Sequence, residues 1–142
     1  MKTVKNILQH KGDIAHAVAP SLSVFDALQI MMDKNISALL VMEGDELKGI
    51  FTERDYARKV ILQGKSSKET PTGDIMTPNP HTITTAETID NCMQLMTDRH
   101  FRHLPVVESG KVVGIISIGD LVKQIIETQK QTINELESYI NS

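Results

Sequence analysis

Apolar residues recur at spacings that predict the same order of elements twice: strand, helix, strand, strand, helix. In the first copy an amphipathic helix occupies 23–34, and Ser23 is a suitable N-cap. Two buried strands follow over 38–42 and 47–51, joined by a tight glycine-containing turn at 44–45. Each copy therefore combines helices and strands within one short unit.

The second strand of this hairpin leads directly into another helix. Thr52 begins that helix, and Asp55 three residues later completes a pattern like a capping box. The helix runs to about Leu62. The second copy repeats the scheme in this order: a helix over 88–98, a strand over 104–107, a turn over 108–110, a strand over 112–116 and a helix from Ser117.

The two copies also share residues at a fixed spacing of 65 positions. Across 18–61 there are ten identities in 44 positions, where composition alone predicts about two or three. The identical pairs are Gln29/Gln94, Met31/Met96, Asp33/Asp98, Leu39/Leu104, Val41/Val106, Glu43/Glu108, Gly49/Gly114, Ile50/Ile115, Asp55/Asp120 and Ile61/Ile126. A duplicated unit of this size predicts two half-domains related by a pseudo-twofold axis, with sites that come in pairs.

The chain divides into repeat 1 over 1–62, a polar linker over 63–73 and repeat 2 over 74–142. Its 142 residues, 40% of them hydrophobic, suffice for one compact domain built from both repeats. Near the start of each repeat the spacing changes to 68, so the first copy has three extra residues around 11–13. The last helix extends well beyond Ile126 with a broad apolar face, which predicts a contact with its own domain or a second subunit.

Composition excludes several classes of function. The net charge is −3 without a basic run, which argues against a nucleic-acid surface, and aromatic content is only 4%. The chain has neither an apolar signal core at its start nor an apolar stretch of membrane-spanning length. One cysteine, Cys92, excludes an internal disulfide and suits a reducing compartment. These features predict a cytoplasmic protein without a membrane or nucleic-acid partner.

A motif of the form Gly-apolar-apolar-Ser/Thr-x-x-Asp stands where a strand meets a helix in both copies. Its members are Gly49, Thr52 and Asp55 in the first copy and Gly114, Ser117 and Asp120 in the second. Free N–H groups at a helix N-terminus attract anions, and an ionised carboxylate there can accept hydrogen bonds from two ribose hydroxyls. The glycines permit close approach of the backbone. The alternative is that the motif is only a helix cap, and capping and ligand binding are compatible.

Together these residues resemble the CBS domain, the repeat named after cystathionine β-synthase. The resemblance covers nearly the whole chain and indicates a stand-alone CBS pair, or Bateman module. Besides the two motifs, the segments that carry it are Val18-Ala19-Pro20, Ser23-Val24-Phe25-Asp26-Ala27-Leu28, Asp74-Ile75-Met76-Thr77 and Arg102-His103-Leu104-Pro105-Val106-Val107. The resemblance implies an α+β fold of two βαββα repeats packed sheet to sheet, here followed by an extended C-terminal helix, with clefts between the repeats for adenosine-containing ligands.

The resemblance also implies which residues bind the ligand. The residues matched to nucleotide binding are Ile50, Thr52, Arg54, Asp55, Arg102, His103, Ile115, Ser117 and Asp120. In this assignment each Asp, with its Ser or Thr neighbour, holds a ribose, and each Ile touches the adenine or the ribose. Arg102 and His103 meet phosphates, with Arg54 as a second cation.

The two copies differ where the phosphate is expected. The positions that match Arg102 and His103 in the first copy are Ser37 and Ala38, which carry no charge. Because a guanidinium binds phosphate strongly, we expect two ribose positions of unequal affinity. AMP is the favoured ligand because a single phosphate suits one arginine, and ADP, ATP, NAD and S-adenosylmethionine remain open.

The leading functional hypothesis is a non-catalytic sensor that binds adenosine nucleotides between its repeats and requires no cofactor. A homodimer formed through the helices over 52–62 and 117–140, and a regulated protein partner, are expected with it. The alternative is a ligand-independent module that dimerises and regulates a partner protein by contact. A nucleotide hydrolase is disfavoured, because neither motif supplies a general base with a positioned nucleophile or a metal cluster.

The remaining candidate residues favour structural roles. His81, His100 and His103 lie near one another in sequence, but no acidic or cysteine ligand stands at a spacing suited to a metal. Cys92 is expected to be a packed thiol. The methionines expected to fill the core are Met31, Met32, Met76, Met93 and Met96.

Overall fold

The computed structural model describes residues 2–11 and 15–141 and is an α+β fold built from two repeats. Its helices are α1 (Val4–Lys11), α2 (Val24–Lys34), α3 (Glu53–Tyr56), α4 (Thr72–Ile75), α5 (Ile89–Arg99) and α6 (Ile118–Asn141). Its strands are β1 (Ala17–Val18), β2 (Ala38–Glu43), β3 (Glu46–Thr52), β4 (Thr77–Pro78), β5 (His103–Glu108) and β6 (Lys111–Ser117). None of the helices in these ranges combines the length and apolar character that a membrane crossing requires.

The two hairpins have the same construction, as the duplicated pattern predicts. Strands β2 and β3 pair in antiparallel fashion, and so do β5 and β6. Each pairing contains an irregularity at the same place, between Val41 and Met42 in the first hairpin and between Val106 and Val107 in the second. These positions are 65 residues apart, so the pseudo-symmetry reaches the details of backbone pairing.

The helix that enters each hairpin is capped in the same way in both repeats. The Ser23 side chain accepts a hydrogen bond from the backbone of the third residue of α2, and Thr88 does the same for α5. Asn35 and His100 end these helices in the left-handed conformation, with φ of 54° and 59°. The predicted helices over 23–34 and 88–98 are confirmed to within one residue.

The helix predicted from Thr52 to about Leu62 is more irregular than expected. Four residues of α3 continue as a π-helical segment, Ala57–Ile61, in which the Leu62 N–H bonds to the Ala57 carbonyl. Val60 is fully buried within this segment. The wider turn of a π-helix is often found next to functional sites.

Two hydrophobic cores lie on the helical sides of the two hairpins. The first contains Val18, Val24, Ala27, Met31, Leu39, Val41, Phe51, Val60 and Ile75. The second contains Val4, Ile7, Leu8, Ile83, Ile89, Cys92, Met96, Leu104, Val106, Ile116 and Leu121. Each core therefore includes a helix that the sequence places at the start of the other repeat: α4 in the first core and α1 in the second.

This exchange of segments is reinforced by hydrogen bonds. The buried Thr72 hydroxyl donates to the Leu22 carbonyl at 2.7 Å, and β4 pairs with β3 as the edge of a four-stranded sheet. In the same way Ile89 N–H bonds to the carbonyl of Lys2. The division into 1–62, 63–73 and 74–142 stays a prediction about the repeating unit. The two cores do not follow this division, because α1 packs in the second core and α4 in the first. Of the three extra residues predicted around 11–13, only Lys11 is among the described residues.

The opposite face of the first sheet is also buried. Side chains alternate along a strand, and Leu40 and Ile50, whose neighbours Leu39 and Phe51 enter the first core, are 1% and 6% exposed. Ser37, just before β2, places its Oγ 3.1 Å from His103 Nε2 at the start of β5. The beginnings of the two hairpins therefore meet between the repeats.

The sulfur-containing residues mostly occupy the predicted environments. Met31 and Met96 are buried, whereas Met32 is 70% exposed, so the expectation that it fills the core was wrong because it lies on the outer face of α2. Cys92 is buried, and its burial and the nearby charge of Glu87 raise the pKa of the thiol to about 11. Cys92 is therefore a packed, protonated thiol at neutral pH.

Candidate functional site

Each copy of the motif forms the same turn between a strand and a helix. We call the end of β3 with the start of α3 the first junction, and the end of β6 with the start of α6 the second junction. At the first junction Thr52 Oγ1 accepts from Asp55 N–H at 3.1 Å, and Asp55 Oδ2 accepts from Thr52 N–H at 3.0 Å. At the second junction Ser117 Oγ accepts from Asp120 N–H at 3.1 Å, and Asp120 Oδ2 accepts from Ser117 N–H at 2.8 Å. Capping therefore occupies one carboxylate oxygen of each Asp.

The carboxylate of Asp55 is fully engaged within the protein. Its Oδ2 also accepts from the Thr52 hydroxyl at 3.1 Å. Its Oδ1 accepts from the Thr77 hydroxyl at 3.1 Å and lies 3.2 Å from Lys59 Nζ. Asp55 is only 8% exposed. A ribose at the first junction would have to displace Thr77 or Lys59.

The carboxylate of Asp120 is more accessible. Its Oδ2 accepts from Ser117 N–H at 2.8 Å and from Lys11 Nζ at 2.7 Å, and the Ser117 side chain also interacts with this carboxylate. Within residues 2–11 and 15–141, no hydrogen bond reaches Oδ1. The side chain is 23% exposed. As far as the described residues go, one oxygen of Asp120 is thus free to accept a hydrogen bond from a ligand.

The segment that lies beside each hairpin explains this difference. At the first junction β4 pairs with β3, so that Thr77 lies opposite Ile50 and its side chain reaches Asp55. The matching part of the chain at a spacing of 68 is the end of α1, which is helical. Strand β6 has no second strand partner in the described chain. Instead, Lys11 Nζ donates to the Ile115 carbonyl at 2.9 Å.

The motif glycines accommodate protein rather than ligand. A β-carbon on Gly49 would lie 2.6 Å from Met76 Sδ and 2.7 Å from the Thr77 carbonyl oxygen. A β-carbon on Gly114 would lie 2.8 Å from Leu8 Cδ2. The expectation that these glycines let the backbone approach a ligand was wrong, because the exchanged segments fill that space.

His103 lies among charged groups at the second junction. Burial first, and then the positive charge of Lys11, lowers the pKa of His103, and Arg102 acts in the same direction. The negative charge of Asp120 opposes them. His103 is therefore neutral at pH 7 and shares a hydrogen bond with Ser37. Lys11, Arg102 and Asp120 therefore lie close enough to His103 for their charges to change its pKa.

Asp120 is ionised in this environment. Burial alone would raise its pKa, but hydrogen bonds from Lys11 and from the Ser117 backbone, together with the charge of Lys11, lower the pKa below its ordinary value. A carboxylate that stays charged is a strong hydrogen-bond acceptor for hydroxyl groups. The second junction thus presents an anionic acceptor beside two cations.

The structure distributes the other predicted site residues between the two junctions. Ile50 is buried on β3, where it pairs with Thr77 of β4, and Arg54 is exposed on α3. Ile115 is partly exposed, and Arg102 is exposed with its carbonyl bonded to the Ile118 N–H. The second junction brings together Arg102, His103, Ile115, Ser117 and Asp120, whereas the first joins Ile50, Thr52, Arg54 and Asp55.

Lys11 is a candidate site residue that the sequence pattern does not reveal. It lies 109 positions from Asp120 and reaches it only through the exchange of α1 into the second repeat. The one available signal is the change of spacing from 65 to 68, which falls at 11–13. An irregularity of the repeat thus coincides with the asymmetry of the two junctions.

A groove of about 770 Å³ runs from Asp120 along α1 and α6. The basic residues that line it are Lys2, His10, Lys11, Lys123 and Lys130. Besides Asp120, its acidic residue is Glu127. The surroundings of the second junction are therefore more positive than the chain as a whole.

The comparison with protein families finds the CBS domain twice, at residues 11–61 and 73–127. The chain is 40% identical over 147 residues to the CBS domain-containing protein CBSX3, mitochondrial, of Arabidopsis thaliana, covering 97% of this chain and 71% of that protein. Several further relatives, 33–35% identical, are longer, and the chain spans only 21–24% of their length.

Solved structures resemble the chain over most of its length. A putative signal-transduction protein with CBS domains from Burkholderia ambifaria is 47% identical, with a TM-score of 0.87 over 90% of this chain and 96% of that one. Arabidopsis CBSX2, solved in complex with AMP, is 27% identical, with a TM-score of 0.73 over 91% of this chain and 99% of that one.

The family match and the fold agree with the resemblance inferred from the motifs. Both repeats are matched, and the predicted duplicated architecture is present in the structure. The chain therefore belongs to the CBS-domain family, as a pair of CBS repeats.

Proposed function

We propose that this CBS pair is a non-catalytic regulatory module that binds an adenosine nucleotide at the second junction. The observation that carries the proposal is the ionised Asp120, with Oδ1 open and with Lys11, Arg102 and His103 around it. The AMP complex of CBSX2 supports the class of ligand.

The arrangement suggests a role for each group. Asp120 Oδ1 accepts hydrogen bonds from the ribose hydroxyls, while its Oδ2 keeps the cap of α6. Arg102 and Lys11 neutralise the phosphate, and the neutral His103 donates a hydrogen bond to it. Ile115 offers an apolar surface beside the sugar or the base. AMP is the favoured ligand, with ADP, ATP, NAD and S-adenosylmethionine as alternatives of the same class.

Lys11 has to change its contact when the ligand binds. It now bonds to Asp120 and to the Ile115 carbonyl, and its side chain is 32% exposed. An incoming phosphate competes for the same ammonium group. Moving one flexible side chain costs little, whereas Asp55 would have to lose bonds to both Thr77 and Lys59. The first junction is accordingly the weaker site.

Titration calorimetry with AMP tests this assignment. We expect one strong site in the unaltered chain and a roughly 10- to 100-fold loss of affinity in Asp120→Asn, because charge-assisted hydrogen bonds to the ribose are weakened. The matched variant is Asp55→Asn, which should keep the strong site if circular dichroism shows it to be folded. Two equal sites, or a loss only in Asp55→Asn, would contradict the proposal.

The exposed apolar face of α6 favours a second candidate, a dimerising module that regulates a partner protein without ligand. Val122, Ile126 and Leu136 on this face are 42–58% exposed. Such a module would keep its regulatory effect in Asp120→Asn, whereas a sensor would lose it. A regulated partner and a cytoplasmic location remain predictions, and the relative CBSX3 is named as mitochondrial.

A further inference from the structure

The second half of α6 extends beyond the packed body of the protein as an exposed helix. Leu121 is buried, but every residue from Gln129 to Asn141 is exposed. We call residues 129–141 the arm. At 1.5 Å per residue the arm is about 20 Å long. A helix of this length is only marginally stable in water unless it packs against something.

Apolar side chains, interrupted only by Gln129, form a seam along residues 122–140 of this helix. The seam residues recur at alternating steps of four and three positions: Val122, Ile126, Gln129, Ile133, Leu136 and Ile140. The arm members Ile133 and Leu136 are 54% and 58% exposed. Steps of four and three define a heptad repeat, here with isoleucine at position a and, apart from Gln129, valine or leucine at position d. This repeat is the pattern of a two-stranded coiled coil.

We propose that the arm pairs with the arm of a second copy of this chain as an antiparallel coiled coil. In this arrangement Ile133 packs against Leu136 of the second copy, and Gln129 lies opposite Ile140 of the second copy. Symmetry produces each contact twice, giving four layers. The two CBS pairs then lie at opposite ends of the coil. This proposal does not depend on ligand binding.

Charges beside the seam select the antiparallel direction and its register. Lys130 and Glu137 occupy position e, on the same flank of the seam. In the antiparallel register above, Lys130 of each arm lies opposite Glu137 of the other. A shift by one heptad would place Lys130 opposite Lys130. A parallel pair would place these charges opposite Ile125 and Thr132, so that neither would find an opposite charge.

Charge exchange tests the direction of pairing on the full-length protein. Lys130→Glu alone and Glu137→Lys alone each create two like-charge contacts, so each should raise the dimer dissociation constant by roughly tenfold. An equimolar mixture of the two variants restores both opposite-charge contacts. Random pairing alone gives twice as much mixed dimer as either homodimer, so native mass spectrometry should find the mixed dimer at well above this twofold ratio. A statistical mixture, or parallel pairing shown by cross-links between equivalent positions, would overturn the antiparallel coil.

A second pair of variants tests whether the arm is the interface. Leu136→Glu places a charge in the centre of the seam, and we expect sedimentation to show a roughly hundredfold weaker dimer. Ser138→Glu places the same charge on the outer side of the arm and should leave the dimer unchanged. Because both side chains are exposed in the single chain, neither change should disturb its core. A monomeric unaltered protein, or a Leu136→Glu variant that stays dimeric, would overturn the proposal.

Discussion

The first and second junctions are built from the same motif, yet they use its carboxylate differently. At the first junction Asp55 holds α3, β4 and the π-helical segment together through Thr52, Thr77 and Lys59. At the second junction Asp120 caps α6 and is otherwise held only by Lys11. The comparison teaches that an identical motif can serve stability in one repeat and remain available for a ligand in the other, depending on the segment packed beside it.

Loss of the two carboxylates should separate these roles most clearly. Asp55→Ala removes the partner of Thr77 and Lys59 in a buried position, so we expect a loss of about 2–3 kcal/mol in the free energy of unfolding. Asp120→Ala removes mainly a helix cap and should cost about 1 kcal/mol. Urea denaturation without nucleotide measures both. Equal losses would show that the two junctions are structurally equivalent.

The motif glycines provide a comparison of somewhat smaller size. Gly49→Ala would bring a methyl group against the Thr77 backbone carbonyl, which cannot rotate away, and should cost about 2 kcal/mol. Gly114→Ala meets only the end of the Leu8 side chain, which can rearrange, and should cost about 1 kcal/mol. Thermal unfolding of the two variants ranks them. A more damaging Gly114→Ala would contradict the view that the first junction is the more tightly closed.

Removing the lysine beside each carboxylate should affect binding at only one junction. If Lys11 moves to the phosphate, Lys11→Met should weaken AMP binding by roughly fivefold. Lys59→Met is the control, because Lys59 contacts Asp55, and it should leave the affinity unchanged. Calorimetry distinguishes the two variants. Tighter binding by Lys11→Met would mean that Lys11 blocks the site rather than completing it.

The smallest expected effect is a dependence of binding on pH. The pKa of His103 in the free protein lies below its ordinary value, so a bound phosphate, which favours the imidazolium, should raise that pKa. Binding then takes up a proton, and the affinity for AMP should rise as the pH falls from about 7.5 to about 6.5, by roughly threefold. His103→Gln should remove this rise. The second proton of the AMP phosphate titrates with a pKa of about 6 and affects both proteins equally. The same pH dependence in the unaltered chain and in His103→Gln would therefore contradict contact between His103 and the phosphate.

The secondary structure was predictable because its determinants are local. Strand spacing and the turn at 44–45 place β2 and β3 to within one residue, and Ser23 and Thr88 mark the helix starts as caps do. The capping role of Thr52 with Asp55 was also visible from spacing alone. These features need no information about distant parts of the chain.

The difference between the junctions was not predictable in the same way. The apolar pattern of α1 predicts that the helix packs in a core, but it does not indicate which of the two cores. In the structure α1 packs in the second core. Thr77 and Lys11 reach their carboxylates only through this long-range packing. The sequence comparison of Arg102 and His103 with Ser37 and Ala38 predicts sites of unequal affinity, and this stays a prediction. The structure adds a different asymmetry, which lies in the contacts of the two carboxylates.

The exchange of α1 and α4 between the cores also bears on how the chain folds. Neither repeat alone contains all the side chains that complete its core. Val4 and Leu8, for example, belong to repeat 1 in sequence but pack in the core of repeat 2. A partly folded intermediate would leave these apolar residues exposed to solvent, where they could associate with another chain. The two repeats should therefore fold together in a single cooperative step. Although the sequence is duplicated, we expect neither repeat to fold independently of the other.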